Sequence, residues 1–153
     1  MTATGHALIA TLLVAKFPDP FVSLPLAFVS HFACDIIPHW DSGTHHREKT
    51  KKALFYEAAL DVLLSIATSF VLYTALGKSD YILLYIGVFM SQLPDWITAP
   101  YFILNMRNNP FVSWSKYMFH LQHRLNSRLD KPWGIVTQVA AVVGLYILLF
   151  QIF

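Results

Sequence analysis

The sequence predicts an all-α fold, a polytopic membrane bundle of about five membrane-embedded helices with one amphipathic helix at the interface. Two observations carry this expectation. The chain of 153 residues is 56% hydrophobic and 13% charged, with a mean hydropathy of +0.49, well outside the habit of a soluble domain. Its apolar residues are also gathered into long runs, the last of which, residues 133–153, carries no charge at all. No repeat, low-complexity tract or linker divides the chain, so residues 1–153 read as a single integral membrane domain.

The first segment, residues 2–16, ends where Pro18 and Pro20 remove backbone donors. No basic stretch precedes its apolar run, so it is expected to be retained as structure rather than cleaved as a signal. The second segment, residues 21–37, stops at Pro38. Both fall short of the roughly 20 residues a full span needs, which makes this hairpin a thinned or re-entrant one.

A polar loop, residues 39–52, leads to the third segment, residues 53–76. The turn Gly77-Lys78-Ser79-Asp80 joins it to the fourth, residues 81–106, as expected between antiparallel neighbours. In residues 111–129, Trp114, Tyr117, Met118, Leu121 and Leu125 recur at helical spacing opposite Lys116, His120, His123, Arg124 and Arg128. That is the pattern of a helix lying in the interface. Lys131-Pro132-Trp133 then turns the chain into the final segment, residues 133–153, where Gln138 is expected to hydrogen-bond across helices.

Alternating spans place the N-terminus, the 39–52 loop and the 107–132 stretch on one side. Arg47, Lys49, Lys51, Lys52, Arg107, Lys116, Arg124, Arg128 and Lys131 lie there, against only Lys16 and Lys78 opposite. The positive-inside rule makes that side cytoplasmic and leaves the C-terminus outside. A net charge of +2 is too small to point to nucleic acid as a partner, so membrane lipids are the partners expected. Cys34 is the only cysteine, which excludes an internal disulfide and a cysteine-based zinc site.

The ionisable residues within the apolar segments fall at one depth. Asp35 lies fifteen positions after Pro20, Asp95 fifteen after Asp80, and Asp61 fifteen before Leu76. At about 1.5 Å per residue each carboxylate sits roughly 22 Å from the far boundary. His6 and His31 lie about one turn deeper by the same rise, and Glu57 a turn nearer the cytoplasm. His31 with Asp35, and Glu57 with Asp61, share a helix face at i, i+4 spacing.

Burying such carboxylates costs several kcal/mol each unless they are protonated, paired or metal-bound. No Lys or Arg occurs from residue 53 to 77 or from 79 to 106. A divalent cation is the economical solution, and imidazole with carboxylate suits zinc, with manganese or iron as alternatives, as one or two ions. His6, His31, Asp35, Asp61 and Asp95 are therefore the expected metal ligands. Each also has an ordinary reading: Asp61 as a protonated acid bonded to a neighbouring helix, Asp95 as the cap of a half-helix broken by Pro94, Glu57 as a solvated group.

His39 and Glu57 are the candidates for general acid or base, placed to reach a water at the metal from the cytoplasmic side. Asp41, His45, His46 and Arg47 in the loop, and His120, His123 and Arg124 on the interfacial helix, are candidate contacts for an anionic, amphiphilic substrate.

The stretch from Ser30 through Asp41, Ser-His-Phe-Ala-Cys-Asp-Ile-Ile-Pro-His-Trp-Asp, preceded by Gly5-His6-Ala7, resembles small bacterial proteins identified as membrane-bound metal-dependent hydrolases. Only the first forty residues carry the specific motif, although the general likeness extends over most of the chain. The family's Asp-His-Arg and Arg-x-x-Thr-His runs are replaced here by Thr44-His45-His46-Arg47. The resemblance implies a bundle of four to five helices in the bacterial inner membrane, with His6, His31, Asp35, His39, Asp61 and Asp95 at the family's recurring positions. It implies hydrolysis of a phosphate-containing or lipid-linked substrate, and a fainter similarity of spacing to zinc-dependent phospholipase C points the same way. Two other readings stand beside it: a proton or metal-ion transporter or channel, since intramembrane acids and histidines also build such pathways, and a non-catalytic metal-stabilised scaffold.

Overall fold

The computed structural model describes residues 1–45, 48–102 and 110–152, with the side chains at 99, 100, 102, 110 and 111 left aside. It is all-helical over those residues: α1 (Ala3–Lys16), α2 (Pro20–Ile36), α3 (Lys51–Ala75), α4 (Tyr81–Phe102), α5 (Pro110–Leu125) and α6 (Trp133–Ile147), which runs on as a π turn, Leu148–Ile152. Among the described residues two stretches are long and apolar enough to cross a membrane, Lys51–Ala75 and Trp133–Ile152. The helices α1 and α2 are apolar but have 14 and 17 residues.

α1 is the axis of the bundle. It is apolar on every face and therefore has no preferred side to bury. It packs against α2, α3, α4 and α6 at once, and Ala7, Leu12 and Val14 have no exposed surface. Around it the outer helices turn apolar residues outward, among them Phe21, Val29, Leu63, Val71, Ile82 and Val139, all more than half exposed. An apolar exterior of that extent is the mark of a lipid-facing or partner-facing surface.

Local chemistry sets the helix ends. Thr2, Asp19 and Thr50 cap the starts of α1, α2 and α3 with side-chain oxygens that accept from the amides of Gly5, Phe21 and Ala53. α3 stops in a Schellman motif: Lys78 N–H donates to the Tyr73 carbonyl and Gly77 N–H to that of Thr74. Gly77 holds the φ of +71° that this termination requires. α4 runs on through Pro94 as one helix, so the alternative in which Asp95 caps a half-helix broken there does not apply.

α5 ends at Leu125 rather than near 129, because the following residues are claimed by the loop after α2. Ser127 N–H donates to the Asp35 carbonyl, His39 N–H to Ser127, and Leu129 N–H to His39, at 2.9, 2.9 and 2.7 Å. Trp40 N–H donates to the Gly134 carbonyl, which brings the start of α6 against the same strip. A Cβ at Gly134 would lie 2.2 Å from the Leu129 carbonyl oxygen and 2.6 Å from Trp40 N, so only glycine fits this crossing. Gln138 makes the expected interhelical bonds: its Oε1 accepts from Thr2 N and Oγ1, and its Nε2 donates to the Trp40 carbonyl.

The face by which α5 meets the bundle differs from the amphipathic reading. Val112, Ser115, Met118 and Gln122 are buried, whereas Trp114 and Tyr117 are 55% and 60% exposed. α5 is turned so that a stripe of mixed polarity meets α4 and α2, and the aromatic residues of the apolar face look outward.

Candidate metal centre

Asp35, on the last turn of α2, is the hub. Its Oδ2 lies 3.3 Å from His31 Nε2, and its Oδ1 lies 3.2 Å from His6 Nε2 and 3.8 Å from His39 Nε2. Oδ1 also receives the ammonium of Met1. His6 and His31 stack with ring centroids 4.0 Å apart and planes 14° from parallel. Asp95 on α4 approaches from the other side, its Oδ1 3.6 Å from His31 Nε2. One ligand atom from each of His6, His31 and Asp95 falls within a common 4.8 Å, a grouping fit to hold a metal ion.

The protonation state of His31 follows from its partners. Its Nδ1 lies 2.7 Å from the Ser91 carbonyl, to which it can only donate. The Gln122 amide donates to His31 Nε2 at 2.9 Å and to Asp95 Oδ1 at 2.8 Å. In this arrangement the His31 Nε2 lone pair receives the Gln122 N–H, and a cation at His31 would take the place of that hydrogen bond. A backbone carbonyl that orients the ring from behind is the usual support of a ligating histidine.

His39 is held the same way, its Nδ1 donating to the Ile37 carbonyl at 2.7 Å. Its Nε2 is buried and makes no hydrogen bond among the described residues, and there neither ring nitrogen of His6 makes one. A buried polar atom left unsatisfied costs about 1–3 kcal/mol. Here the Nε2 atoms of His6 and His39 both face Asp35 Oδ1, at 3.2 and 3.8 Å, an edge that already receives the Met1 ammonium and so accepts positive charge. Tetrahedral ligands at about 2.0–2.1 Å from zinc stand roughly 3.3 Å apart, close to the separations around Asp35. The donor set of imidazoles and carboxylates without thiolate fits zinc, manganese or iron.

The centre opens at Asp95. His6, His31, Asp35 and His39 are buried, whereas the Asp95 side chain is 54% exposed. Gln122, which reaches this mouth from α5, has no place in the sequence-derived set of site residues. Its only signal is its position four residues past Met118 on what proves to be the buried stripe.

Other nominated residues are placed elsewhere. Asp61 spends its carboxylate on the start of α1, accepting from Ala3 N at 2.6 Å, Thr4 N at 3.1 Å and Thr4 Oγ1 at 2.7 Å. Negative charge at a helix N-terminus satisfies orphan amides and complements the helix dipole. Glu57 pairs with Lys49 at 2.6 Å, because the loop before α3 folds back and brings that cation beside it. Asp41 bonds Thr44 at 2.9 Å and lies 3.6 Å from Arg128 and 3.7 Å from His39. Burial opposes its charge, but the His39 imidazole, the Arg128 guanidinium and the Thr44 hydroxyl together hold its carboxyl below the usual carboxylate range.

His45 is exposed and bonds Asp130 at 2.7 Å and Glu48 at 3.3 Å. His120, His123 and Arg124, with Tyr117 and Leu121, line a shallow depression of about 460 Å³ on the outer side of α5. His46 and Arg47 lie outside the described residues. Comparison of the chain with protein-family models, curated proteins and solved structures finds no match.

Proposed function

We propose that the protein is a metal-dependent hydrolase embedded in a membrane through all five of its apolar helices, with the N-terminus cytoplasmic, acting on a phosphate-containing or lipid-linked substrate. The observation that carries this reading is the convergence of His6, His31 and Asp95 on one point, with the His31 ring oriented by its bond to the Ser91 carbonyl. A divalent cation bound there supplies a Lewis acid that polarises a phosphoryl oxygen and lowers the pKa of water.

The chain's own residues do the rest. His6, His31 and Asp95 bind the cation, with Asp35 beside them. Burial of the imidazoles excludes bulk water, and the half-exposed Asp95 edge is where substrate enters. The Gln122 carboxamide at that edge holds Asp95 in position through its bond to Oδ1. The depression on α5 beside His120, His123 and Arg124 suits an anionic headgroup. Of the two residues nominated for proton transfer, His39 stands at the centre and Glu57 is tied to Lys49.

The transporter reading needs a relay beyond the centre. The buried hydroxyls of Thr11, Ser65 and Ser91 instead donate to carbonyls of their own helices, Ala7, Val62 and Val88. The test is elemental mass spectrometry on the detergent-purified chain, beside a phosphoester and phospholipid turnover screen. Near-stoichiometric zinc, manganese or iron, lost in His31→Ala together with turnover, supports the hydrolase. A metal-free wild type after reconstitution, or metal without turnover on any phosphoester, sinks it.

A further inference from the structure

The outer side of α5 carries charge and apolar surface that the metal centre does not use. Gln122 is buried and bonds His31 and Asp95, whereas Lys116, His120, His123 and Arg124 are exposed. Successive helix residues are about 100° apart, so His120 and Arg124, each two positions from Gln122, lie roughly 200° around the rod from it. A molecule resting on them is therefore separated from the centre by the helix itself.

The positive charge of this face is not compensated. α5 contains no Asp or Glu. Basic residues of the adjoining loops are paired, Arg128 with Asp41, Lys49 with Glu57 and His45 with Asp130. Among the described residues no ion pair or hydrogen bond holds Lys116, His120, His123 or Arg124. The two imidazoles are seated instead by Phe119: His123 stacks on it, with centroids 6.0 Å apart and planes 8° from parallel, and His120 meets it edge-on at 5.8 Å. Their ring nitrogens stay available to an incoming acceptor.

Apolar surface lies directly beside these donors. Tyr117 and Leu121 complete the depression of about 460 Å³, and Trp114, 6.0 Å from Tyr117 between ring centroids, extends it. A free phosphate would use the donors and leave the aromatic wall idle, and an acidic peptide would set polar backbone against it. A phospholipid uses both, its phosphate oxygens on the cations and its glycerol and first acyl carbons on the rings. The same chain holds two helices long and apolar enough to cross a bilayer, which supplies that ligand.

We propose that the outer face of α5 is a binding site for an anionic phospholipid, its phosphate on His120, His123 and Arg124 with Lys116 alongside, and its apolar part on Tyr117 and Leu121. The proposal rests on the membrane half of the reading above and not on hydrolysis: this lipid is a resident neighbour of the centre, not the molecule turned over.

The experiment uses the full chain in nanodiscs of equal parts phosphatidylcholine and phosphatidylglycerol. Lipids retained by the protein are counted by native mass spectrometry, for the wild type and for the combined variant Lys116→Gln, His120→Gln, His123→Gln, Arg124→Gln. Two uncompensated cations at a membrane surface favour the anionic lipid about 10- to 30-fold. The wild type should show enrichment of that order and the variant near parity. Hydrogen exchange over α5 in the wild type should slow when phosphatidylglycerol is added to phosphatidylcholine discs, a readout that does not require the variant to fold.

Equal retention of the two lipids by the wild type, or enrichment that survives in the folded variant, overturns the proposal. Displacement of the enriched lipid by inorganic phosphate, but not by sodium chloride of equal ionic strength, gives the depression to a soluble anion and also overturns it. A chain that does not enter the discs overturns the membrane reading and the proposal together. Absence of phosphoester turnover, measured separately, sinks the hydrolase and leaves the lipid site standing.

Discussion

His6 and His31, from two different helices, lie face to face with ring centroids 4.0 Å apart. The stack brings two imidazoles from separate helices into the one grouping, with Asp95, that is fit to hold a metal ion. Replacing either by alanine should reduce bound metal to background. His31→Ala should be the more severe, because it also strands the Ser91 carbonyl and the Gln122 amide, and elemental analysis beside a thermal melt separates the two effects.

Gln122→Ala should leave the bundle folded and weaken metal binding roughly 10- to 100-fold, the usual consequence of removing a group that orients a ligand. The reason is its bond to Asp95 at 2.8 Å, which holds the most exposed carboxylate of the centre in place. Competition with a chelator of known affinity measures it, and an unchanged affinity would exclude this orienting role.

Asp61→Ala should behave in the opposite way. Its carboxylate serves the start of α1, so the loss should be one of stability, about 0.5–2 kcal/mol as for other helix caps, with metal content preserved in the folded fraction. Loss of metal from well-folded Asp61→Ala protein would return Asp61 to the ligand set.

The His45 imidazole should tie the 39–50 loop to Asp130 in a pH-dependent way. The hydrogen bond and charge of Asp130, with those of Glu48, raise its pKa above the ordinary histidine value. A raised folded-state pKa means the tie is fully present below the unfolded value of about 6.5 and is lost as pH rises through the folded one. Hydrogen exchange of the loop amides should therefore accelerate toward alkaline pH beyond the intrinsic trend, and Asp130→Asn should abolish that excess.

Gly134→Ala tests the crossing of α6 with the His39 strip. With Leu129 O and Trp40 N in the way of a Cβ, the backbone has to shift, and overpacking of this kind costs about 1–3 kcal/mol. The variant should melt earlier than the wild type in a thermal scan.

Much of the centre was legible from helix rise alone. Counting residues from the turns puts His6, His31, Asp35 and Asp95 at neighbouring depths, and the folded chain gathers those four, because a fixed 1.5 Å per residue leaves little freedom within a helix. Depth does not give azimuth. Asp61 lies at the expected level but faces the amides of Ala3 and Thr4, which depends on where α1 begins relative to α3. Gln122 was invisible because an amphipathic pattern locates the apolar face of α5, not the face that packs, and those differ here. Lys49 reaches Glu57 through a loop whose path no periodicity describes.

α5 holds Trp114 and Tyr117 on its exterior and Gln122 in the centre. Trp114 and Gln122 are eight positions apart on one rod, roughly 12 Å along its axis. Ser115 anchors the rod between them through its bond to the Ile97 carbonyl. A rod held at that bond carries the inner amide with it when it tilts, so whatever the outer rings touch acts as a lever on the geometry beside Asp95.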